Sequence, residues 1–308
     1  WYLANTFNQT FDPQISVSSG YTTIYLQTGY VRNTGLELSL GYGHTWNNNF
    51  RWDSNFTLSH NKNKIKELVR DYVHPETGEL INKDRLDVGG LGKARFILKE
   101  GGTLGDLYTQ SDLKRDDNGM VDIDPTGIVA IENNLPDIKL GSVFPKANLA
   151  WSNHFSWKGI SLSALFTARI GGIVYSATEA AMDQYGVSER SALARDNGGV
   201  LVNNRTLVDA QNYYTTIGSE SGLPQYYTYN ATNVRLQEAS IGYLIPRKWL
   251  GNVCDIQVSV IGRNLWMIYN KAPFDPESVA TTDNYYQGID YFMLPSTRNI
   301  GFNVKINF

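Results

Sequence analysis

Apolar and polar positions alternate along several long segments of this chain. In residues 297–308 the even positions from Ile300 to Phe308 are apolar, and the odd positions between them are glycine, asparagine or lysine. Neighbouring side chains of a strand point to opposite faces, so the segment predicts a strand with one apolar and one polar face. The phase slips near Glu238 and Ile261, where β-bulges are expected. The same alternation recurs in residues 36–46, 50–59, 147–157, 160–170 and 256–260.

The spacing of these segments predicts ten strands joined by two kinds of connector. The predicted strands are 1–9, 32–46, 49–64, 93–100, 103–110, 146–157, 159–170, 232–246, 253–268 and 297–308. Short turns at one end and long loops at the other are typical of an outer-membrane β-barrel, where the long loops are extracellular. Here the short connectors are 47–49, 101–102, 158–159 and 246–252, and the long ones are 10–31, 65–92, 111–145, 171–231 and 269–296.

Aromatic residues gather beside the short connectors. Interfacial aromatic girdles occupy such positions in membrane barrels. The fold class predicted from the pattern is therefore all-β, a transmembrane antiparallel barrel with the short turns on the periplasmic side. The residues concerned are Trp46, Phe50, Trp52, Phe155, Trp157 and Trp249.

Composition excludes several other classes of protein. No segment approaches the roughly 20 consecutive apolar residues of a membrane helix, whereas barrel strands expose only every second residue to lipid. The net charge of −3 argues against nucleic acid as a partner. Cys254 is the only cysteine, so no internal disulfide can form. The sequence contains neither a nucleophile elbow nor a phosphate-binding loop, and we expect no catalytic site, metal or cofactor.

The long connectors contain the candidate ligand or partner contacts. Exposed aromatic rings beside polar groups suit stacking on sugars or contact with peptides, and packing between loops is the alternative role for each ring. Residues 178–195 have helical composition, with Thr178 as the expected N-cap. Residues 112–124 resemble an acidic calcium loop, but Lys114 would fall at its first ligand position. The candidate contacts are Tyr213, Tyr214, Tyr226, Tyr227, Tyr229, Tyr285, Tyr286 and Tyr291.

Charged residues within the predicted strands are expected to face a hydrated lumen. Arginine on the lipid face costs about 2–4 kcal/mol at the bilayer midplane. We therefore expect these arginines to pair with carboxylates of the lumen or of a plug. The lumen-facing residues predicted in this way are Arg169, Arg235, Arg263, Glu37 and Asp53.

Short motifs, spread in family order over nearly the whole chain, resemble those of SusC-like TonB-dependent transporters. Together they are specific, although each is short. They are Asn-Thr-Gly-Leu-Glu-Leu at 33–38, Ser-His-Asn-Lys-Asn-Lys-Ile at 59–65, Glu-Gly-Gly-Thr-Leu-Gly-Asp-Leu-Tyr at 100–108, Val-Arg-Leu at 234–236 with Ile-Gly-Tyr at 241–243 and Pro246, Gly-Arg-Asn-Leu at 262–265 with Phe-Asp-Pro-Glu at 274–277, and Phe308 at the end.

The resemblance implies a larger protein than this chain. The barrel of the family has 22 strands around an N-terminal plug, so residues 1–308 would supply about ten C-terminal strands, without the plug, the TonB box or the first strands. The family imports glycans or peptides across the bacterial outer membrane. It does so with a SusD-like lipoprotein lid and with energy delivered through TonB. The long loops, 171–231 and 269–296 among them, would then contact the lid and the ligand.

Two other interpretations stay open from the residues alone. The ten strands could pair among themselves as a complete barrel, such as a surface protease with an Asp/His site in its loops. That enzyme needs a histidine at the outer rim, and only His74 lies in a long connector. A soluble β-sandwich lectin is the third class, but it gives no reason for tryptophans to cluster at one end of the strands.

Overall fold

Strands make up most of the structure. The computed structural model describes residues 1–11, 25–73, 78, 80–281 and 286–308. The strands are β1 (Tyr2–Phe7), β2 (Thr10–Phe11), β3 (Leu26–Gln27), β4 (Tyr30–Thr45), β5 (Arg51–Glu67), β6 (Val69–Val73), β7 (Leu80–Lys83), β8 (Arg85–Leu91), β9 (Ala94–Lys99), β10 (Asp106–Thr109), β11 (Asp112–Leu113), β12 (Ile131–Glu132), β13 (Ile138–Ser142), β14 (Ala147–Trp157), β15 (Ile160–Ile170), β16 (Ile173–Ser176), β17 (Val200–Val202), β18 (Thr206–Val208), β19 (Thr228–Asn230), β20 (Asn233–Ile245), β21 (Asp255–Asn270), β22 (Ile289–Asp290) and β23 (Asn299–Asn307).

Helices occur only between β16 and β21 in the part of the chain that the structure describes. They are α1 (Ala177–Gln184), α2 (Glu189–Asp196), α3 (Ala210–Gly218) and short 3-10 helices at Ser219–Ser221, Pro224–Tyr226 and Arg247–Trp249. None of the helices among the described residues combines the length and apolar character needed to cross a membrane.

Eight long strands form one antiparallel sheet, which we call the wall. Its order is β1-β4-β5-β14-β15-β20-β21-β23, so every strand lies beside its neighbour in the sequence of wall strands. The up-and-down order follows from the short connections at one end. Within the described residues β1 and β23 each pair on one side only and do not pair with each other. The wall therefore does not close on itself as the self-contained ten-stranded alternative requires.

The cross-strand register brings the apolar positions of all these strands onto one face. Leu38 is 41% exposed and Phe302 is 81% exposed, so this face is not covered by a second layer of protein. Phe166 is half-buried only because it stacks on Trp151, with ring centroids 5.7 Å apart. The sandwich interpretation is therefore wrong, and the apolar face is the outer face of the wall. One row across it reads Leu40, Phe56, Trp151, Phe166, Leu236 and Trp266.

Aromatic side chains form clusters at the short-turn end of the wall. The ring of Phe50 lies 5.3 Å from that of Trp46 and 6.2 Å from that of Phe155. The turn at Lys158 and Gly159 has positive φ at both residues, 47° and 89°. A two-residue turn of this kind matches the twist of the flanking strands and keeps the connection short. The clusters lie where an interfacial girdle is expected.

The apolar band has the height of a bilayer core. Ten residues separate Trp46 in the aromatic cluster from Leu36 on the same face of β4. At a rise of about 3.3 Å per residue and a tilt of about 40°, this length spans about 25 Å along the membrane normal. The outer face of β4 therefore matches the roughly 25 Å apolar band of a transmembrane barrel.

The predicted strands at 93–100 and 103–110 exist, but they are not wall strands. β9 and β10 pair within a separate four-stranded sheet of order β13-β10-β9-β8. β9 has six residues and β10 has four, and neither pairs with a strand of the wall. Phe96, Ile97 and Leu98 are consecutive and fully buried, so both faces of β9 are covered by protein. For the described residues, the expected wall of about ten strands is thus corrected to eight.

Irregular pairing adjusts the phase of two wall strands. The β20–β21 register shifts between Leu236 and Glu238, which confirms the bulge expected near Glu238. The second slip was expected near Ile261, but Ile261 pairs regularly with Ser240. One irregularity on β21 lies at Asn264 and Leu265, because Arg263 and Trp266 pair with Glu238 and Leu236. A second lies at Ile268, between the residues that pair with Arg235 and Val234.

The buried apolar core lies in the connectors at the other end of the wall, which we call the loop layer. This core includes Phe11, Leu68, Phe96 and Leu223, and it meets the wall at Val31 and Ile65 near the ends of β4 and β5. Segment 178–195 forms two helices instead of one. The N-cap of α1 is Ser176 and not Thr178, because the Ser176 side chain accepts a hydrogen bond from the backbone N–H of Glu179. The N-cap of α2 is Ser188. The break follows from Gly186, which has φ +68°.

Substitution on the two faces of β4 tests the orientation of the wall. Leu40→Arg places a charge near the middle of the apolar band, and we expect it to lower the free energy of unfolding by about 2–4 kcal/mol. Ser39→Arg is the matched control, because Ser39 lies on the opposite, polar face. Urea unfolding in lipid vesicles measures both variants. Equal destabilisation by the two substitutions would contradict the orientation.

Candidate functional site

The inner face of the wall is a continuous polar surface. Cross-strand pairing aligns Glu37 with Ser59, Ser59 with Asn148, and Asn148 with Arg169. Because the backbone hydrogen bonds fix this register, they determine which polar residues lie side by side on the inner face. The row lines a groove of about 710 Å³, which Gln237 and Glu277 also line. A second groove of about 510 Å³ lies nearer the short turns, beside Asp53, His154 and Glu238.

The charged residues predicted to face the lumen lie on this inner face. Arg169 donates from Nη2 to the carbonyl of Val143 at 2.7 Å. Arg263 pairs with Glu238 at 2.8 Å, and Asp53 pairs with Arg51 at 2.7 Å. Arg169, Arg263 and Asp53 therefore each have a hydrogen-bonding or ion-pair partner within the protein.

Arg235 joins the wall to the connector after β21. Its side chain is only 5% exposed and donates to Asp275 from both terminal nitrogens, at 2.8 and 3.2 Å. Oε2 of Glu277 lies 3.3 Å from Nη2 of the same guanidinium. Burial alone would raise the pKa of Asp275, but the hydrogen bonds from Arg235, from the backbone N–H of Glu277 and from Ser296, with the charge of Arg235, together hold that pKa below its usual value. The Val-Arg-Leu and Asp-Pro-Glu motifs thus meet in one ion-pair cluster.

Five of the predicted tyrosine contacts are part of the loop layer. Tyr227 is fully buried, and its hydroxyl donates to Asp183 at 2.9 Å. Tyr229 is half-buried and donates to Glu179 at 2.6 Å. Burial raises the pKa of Tyr213 to about 12, so its hydroxyl stays neutral. The rings of Tyr213, Tyr214 and Tyr226 pack against the loop core.

The remaining predicted tyrosines lie in the last long connector. Tyr286 is 39% exposed and Tyr291 is 51% exposed, so both rings have surface available to a ligand or partner. Tyr291 lies edge-on to Phe292, with ring centroids 5.1 Å apart. Tyr285 lies outside the described residues, as does His74. The contact role predicted for the group is therefore sterically open at Tyr286 and Tyr291, while Tyr227 has no free surface.

Sequence reasoning missed the buried acid that organises the helices. Asp183 accepts hydrogen bonds from Ser188 Oγ at 2.5 Å, Arg190 Nε at 2.9 Å and Tyr227 Oη at 2.9 Å. These bonds hold α1, the start of α2 and the segment before β19 together. The only signal in the sequence is an acid followed by a serine and an arginine within seven residues, which is too common to identify a network.

In the acidic segment 112–124, the carboxylates of Asp116 and Asp122 accept hydrogen bonds from the chain itself. Asp116 Oδ1 accepts from the backbone N–H groups of Asn118 and Met120, each at 2.9 Å. Lys114 pairs with Asp122 at 2.7 Å. Across the described ranges, no group of three or more His, Cys, Asp or Glu side chains is arranged to hold a metal ion.

A buried ion-pair cluster stabilises the four-stranded sheet of the loop layer. The Asp137 side chain is only 6% exposed and accepts from Arg85 at 2.7 and 2.9 Å and from Lys99 at 2.9 Å. The hydrogen bonds from Arg85, with those from Lys99, lower the pKa of Asp137 to about 2 although burial opposes them. This cluster joins the start of β8, the end of β9 and the residue before β13, and its role is structural.

An apolar outer band, a polar inner face and a folded loop layer at one rim define the chain as part of an outer-membrane β-barrel protein. No protein-family model matches the chain. Its similarity to known proteins nevertheless agrees with this class. It is 25% identical over 338 residues to TonB-dependent receptor P3 and 24% identical over 334 residues to TonB-dependent receptor P26, both from Formosa agariphila. The matches cover 99% and 100% of this chain and 32% of each relative, so the chain spans about a third of their length.

Solved structures show the same fold. The chain aligns with the RagAB peptide importer in its closed-closed state with a TM-score of 0.66 and 18% identity, covering 99% of this chain and 33% of the other. A structure of the RagAB peptide transporter gives the same TM-score and identity, with 32% of that chain covered. The chain is a homologue of TonB-dependent receptors and an outer-membrane protein. The resemblance to SusC-like transporters indicated by its motifs is confirmed.

The Arg235 cluster gives a prediction about the connector after β21. Arg235→Met leaves Asp275 nearly buried without its counter-ion, which costs about 3–5 kcal/mol. We expect residues 271–281 to become sensitive to protease while the wall stays folded. Arg263→Met is the matched control, because that side chain is 67% exposed and its pair with Glu238 is worth about 1 kcal/mol or less. Limited proteolysis with mass mapping measures both, and equal protection of residues 271–281 in the two variants would contradict the role of the cluster.

The Asp137 cluster predicts a pH dependence confined to the loop layer. Because folding lowers the pKa of Asp137 from 3.8, its ion pairs stabilise the sheet above about pH 4, and this stabilisation is lost as the pH falls through about 2. We expect the protection of β8 and β9 against hydrogen exchange, measured relative to the intrinsic rate at each pH, to fall between pH 5 and pH 3 in the native protein. Asp137→Asn should show lower protection at pH 5, and that protection should be nearly independent of pH. Identical pH profiles for the two proteins would contradict this assignment.

Proposed function

We propose that this chain forms part of the barrel and loop layer of an outer-membrane transporter that imports a nutrient. The observation that carries the proposal is the division of each wall strand into a lipid-facing apolar row and an inner polar row. A wall built only as a membrane anchor would gain nothing from inner grooves lined by Glu37, Arg169 and Asp53. A hydrated passage, or contact with a plug domain inside the barrel, requires such a polar surface.

The partners follow from the resemblance to the transporter family. We propose that TonB supplies energy through a part of the protein outside this chain, and that a SusD-like lipoprotein covers the loop layer. We also propose that residues 1–308 are the C-terminal part of a 22-stranded barrel. The cargo is an oligosaccharide or a peptide. The matched RagAB structures are described as a peptide importer, which makes an oligopeptide the first cargo to test.

The contacts of the cargo are proposed at exposed aromatic rings of the loop layer. Tyr286 and Tyr291 offer ring surface next to polar backbone, which suits either a sugar face or a peptide side chain. The lumen charges would position the plug or line the passage. Arg169 and Glu37, which line one groove, are the residues proposed for this role.

The surface-protease alternative finds less support in the geometry. Among the described residues, His154 is the histidine that lies directly opposite an acid, Asp53, on the inner face. Asp53 is the third residue of β5, so the pair lies at the short-turn end, whereas a surface protease needs its groups at the rim of the long loops. The homology to TonB-dependent receptors also favours transport over catalysis.

Uptake by cells tests the proposed function. In a strain lacking the gene of the intact protein, we expect uptake of either a labelled oligopeptide pool or a labelled oligosaccharide pool to fall to background. Complementation should restore it, because the passage is then present again. A protonophore should stop uptake but leave surface binding intact, since import depends on energy from the inner membrane.

Two outcomes of this assay would contradict the proposal. One is unchanged uptake of both cargo classes in the deletion strain. The other is cleavage of the labelled peptides outside the complemented cells without accumulation inside them, which would favour the protease. The amount of inserted protein, measured by immunoblot, controls for expression.

A further inference from the structure

A ladder of basic residues continues the outer face of β4 and β5 beyond the apolar band. On that face the register pairs Leu36 with His60, Thr34 with Lys62, and Arg32 with Lys64. Lys62 and Lys64 are exposed, and Arg32 is half-buried. We call Arg32, Lys62 and Lys64 the rim ladder.

The opposite face of the same residues establishes that the ladder points outward. Asn61 and Asn63 donate to Asn33 at 3.2 and 3.0 Å, and Asn63 accepts from the backbone N–H of Leu104 in the loop layer at 2.9 Å. These asparagines are therefore on the protein side. Because side chains alternate along a strand, the lysines at 62 and 64 point away from the lumen.

Height places the rim ladder at a membrane surface. Phe50 lies in the aromatic cluster of the short-turn end, and His60 is ten residues further along β5. That distance spans about 25 Å along the membrane normal, which is the full apolar band. Lys62 and Lys64 therefore lie just beyond the hydrocarbon, on the side of the long loops. In an outer-membrane barrel this side is the outer leaflet.

Among the described residues, the charges of the rim ladder have no counter-ion. No salt bridge in the described ranges involves any of its three members, and Arg32 is held by the neutral groups of Asn5 and Tyr30. Arg32 and Lys64 face each other directly across two strands, an arrangement that is unfavourable for like charges. A bound anion would offset this repulsion.

We propose that the rim ladder binds the phosphate of a phosphorylated lipid of the outer leaflet. Arg32 is pre-positioned by Asn5 and Tyr30, and its planar fork suits two oxygens of a phosphate. Lys62 and Lys64, about 6.6 Å apart along one face, can reach the same headgroup or its neighbour. The acyl chains of that lipid would lie along Leu36, Leu38 and Leu58 directly below. The proposal rests on the outer-membrane location and not on import.

The test measures lipid binding to the intact outer-membrane protein in detergent. Native mass spectrometry follows titration with bis-phosphorylated lipid A and with lipid A stripped of both phosphates. The test variant is Lys62→Gln with Lys64→Gln. The matched control is Lys83→Gln with Arg205→Gln, which removes the same charge from exposed sites of the loop layer. Heat-modifiable migration on gels checks that both variants fold.

We expect the native protein and the control to retain the phosphorylated lipid more tightly than the stripped lipid. Each basic group near an anionic surface contributes about fivefold in affinity, so the test variant should bind the phosphorylated lipid about 25-fold more weakly. Higher salt should also weaken binding.

Three outcomes would overturn the proposal. The first is equal affinity of the native protein for the two lipids. The second is an equal loss of affinity in the test and control variants. The third is displacement of the lipid by millimolar inorganic phosphate, which would show that the ladder recognises free phosphate. Uptake can fail or succeed in any of these cases, so the result does not depend on the cargo.

Discussion

The structure depends on one constraint: every backbone polar group inside the lipid bilayer must be hydrogen-bonded within the protein, because no water is present there. Inside the bilayer each N–H and C=O group of the wall needs a partner in a neighbouring strand, because an unsatisfied group costs several kcal/mol. The eight wall strands meet this requirement with long, nearly uninterrupted ladders, such as the eleven paired residues of β14 and β15. The fixed register then determines both surfaces at once. Leu58 reaches lipid because Thr57 and Ser59 face inward.

The sequence predicts the wall well, because a strand between lipid and water has a simple pattern. Segment 299–307 shows the alternation without interruption, and the bulge near Glu238 appears as a break in phase. The same rule fails for β9, where Phe96, Ile97 and Leu98 are all buried by protein on both sides. A buried strand has no wet face, so its sequence does not reveal which sheet it joins.

The candidate site was only partly visible in the sequence for a related reason. Arg235 could be placed on the inner face by parity, but its partner Asp275 lies 40 residues away beyond a second strand. Nothing in the local sequence distinguishes Tyr227 from Tyr291. In the structure, Tyr227 is buried and bonded to Asp183, whereas Tyr291 is half exposed. Such differences depend on long-range packing of connectors, which no local period encodes.

The loop layer has a consequence for how this protein can change over time. Its apolar core contains Phe96, Leu98 and Leu223 and touches the wall mainly at the ends of β4 and β5. The wall is stabilised by the hydrogen bonds between its strands and by contact with lipid. The loop layer is stabilised by burial of an apolar interior, as in a small soluble domain. Mutations that reshape the loop layer therefore leave the membrane-spanning wall nearly untouched. Diversification of the outer surface and preservation of assembly can proceed in separate parts of one chain.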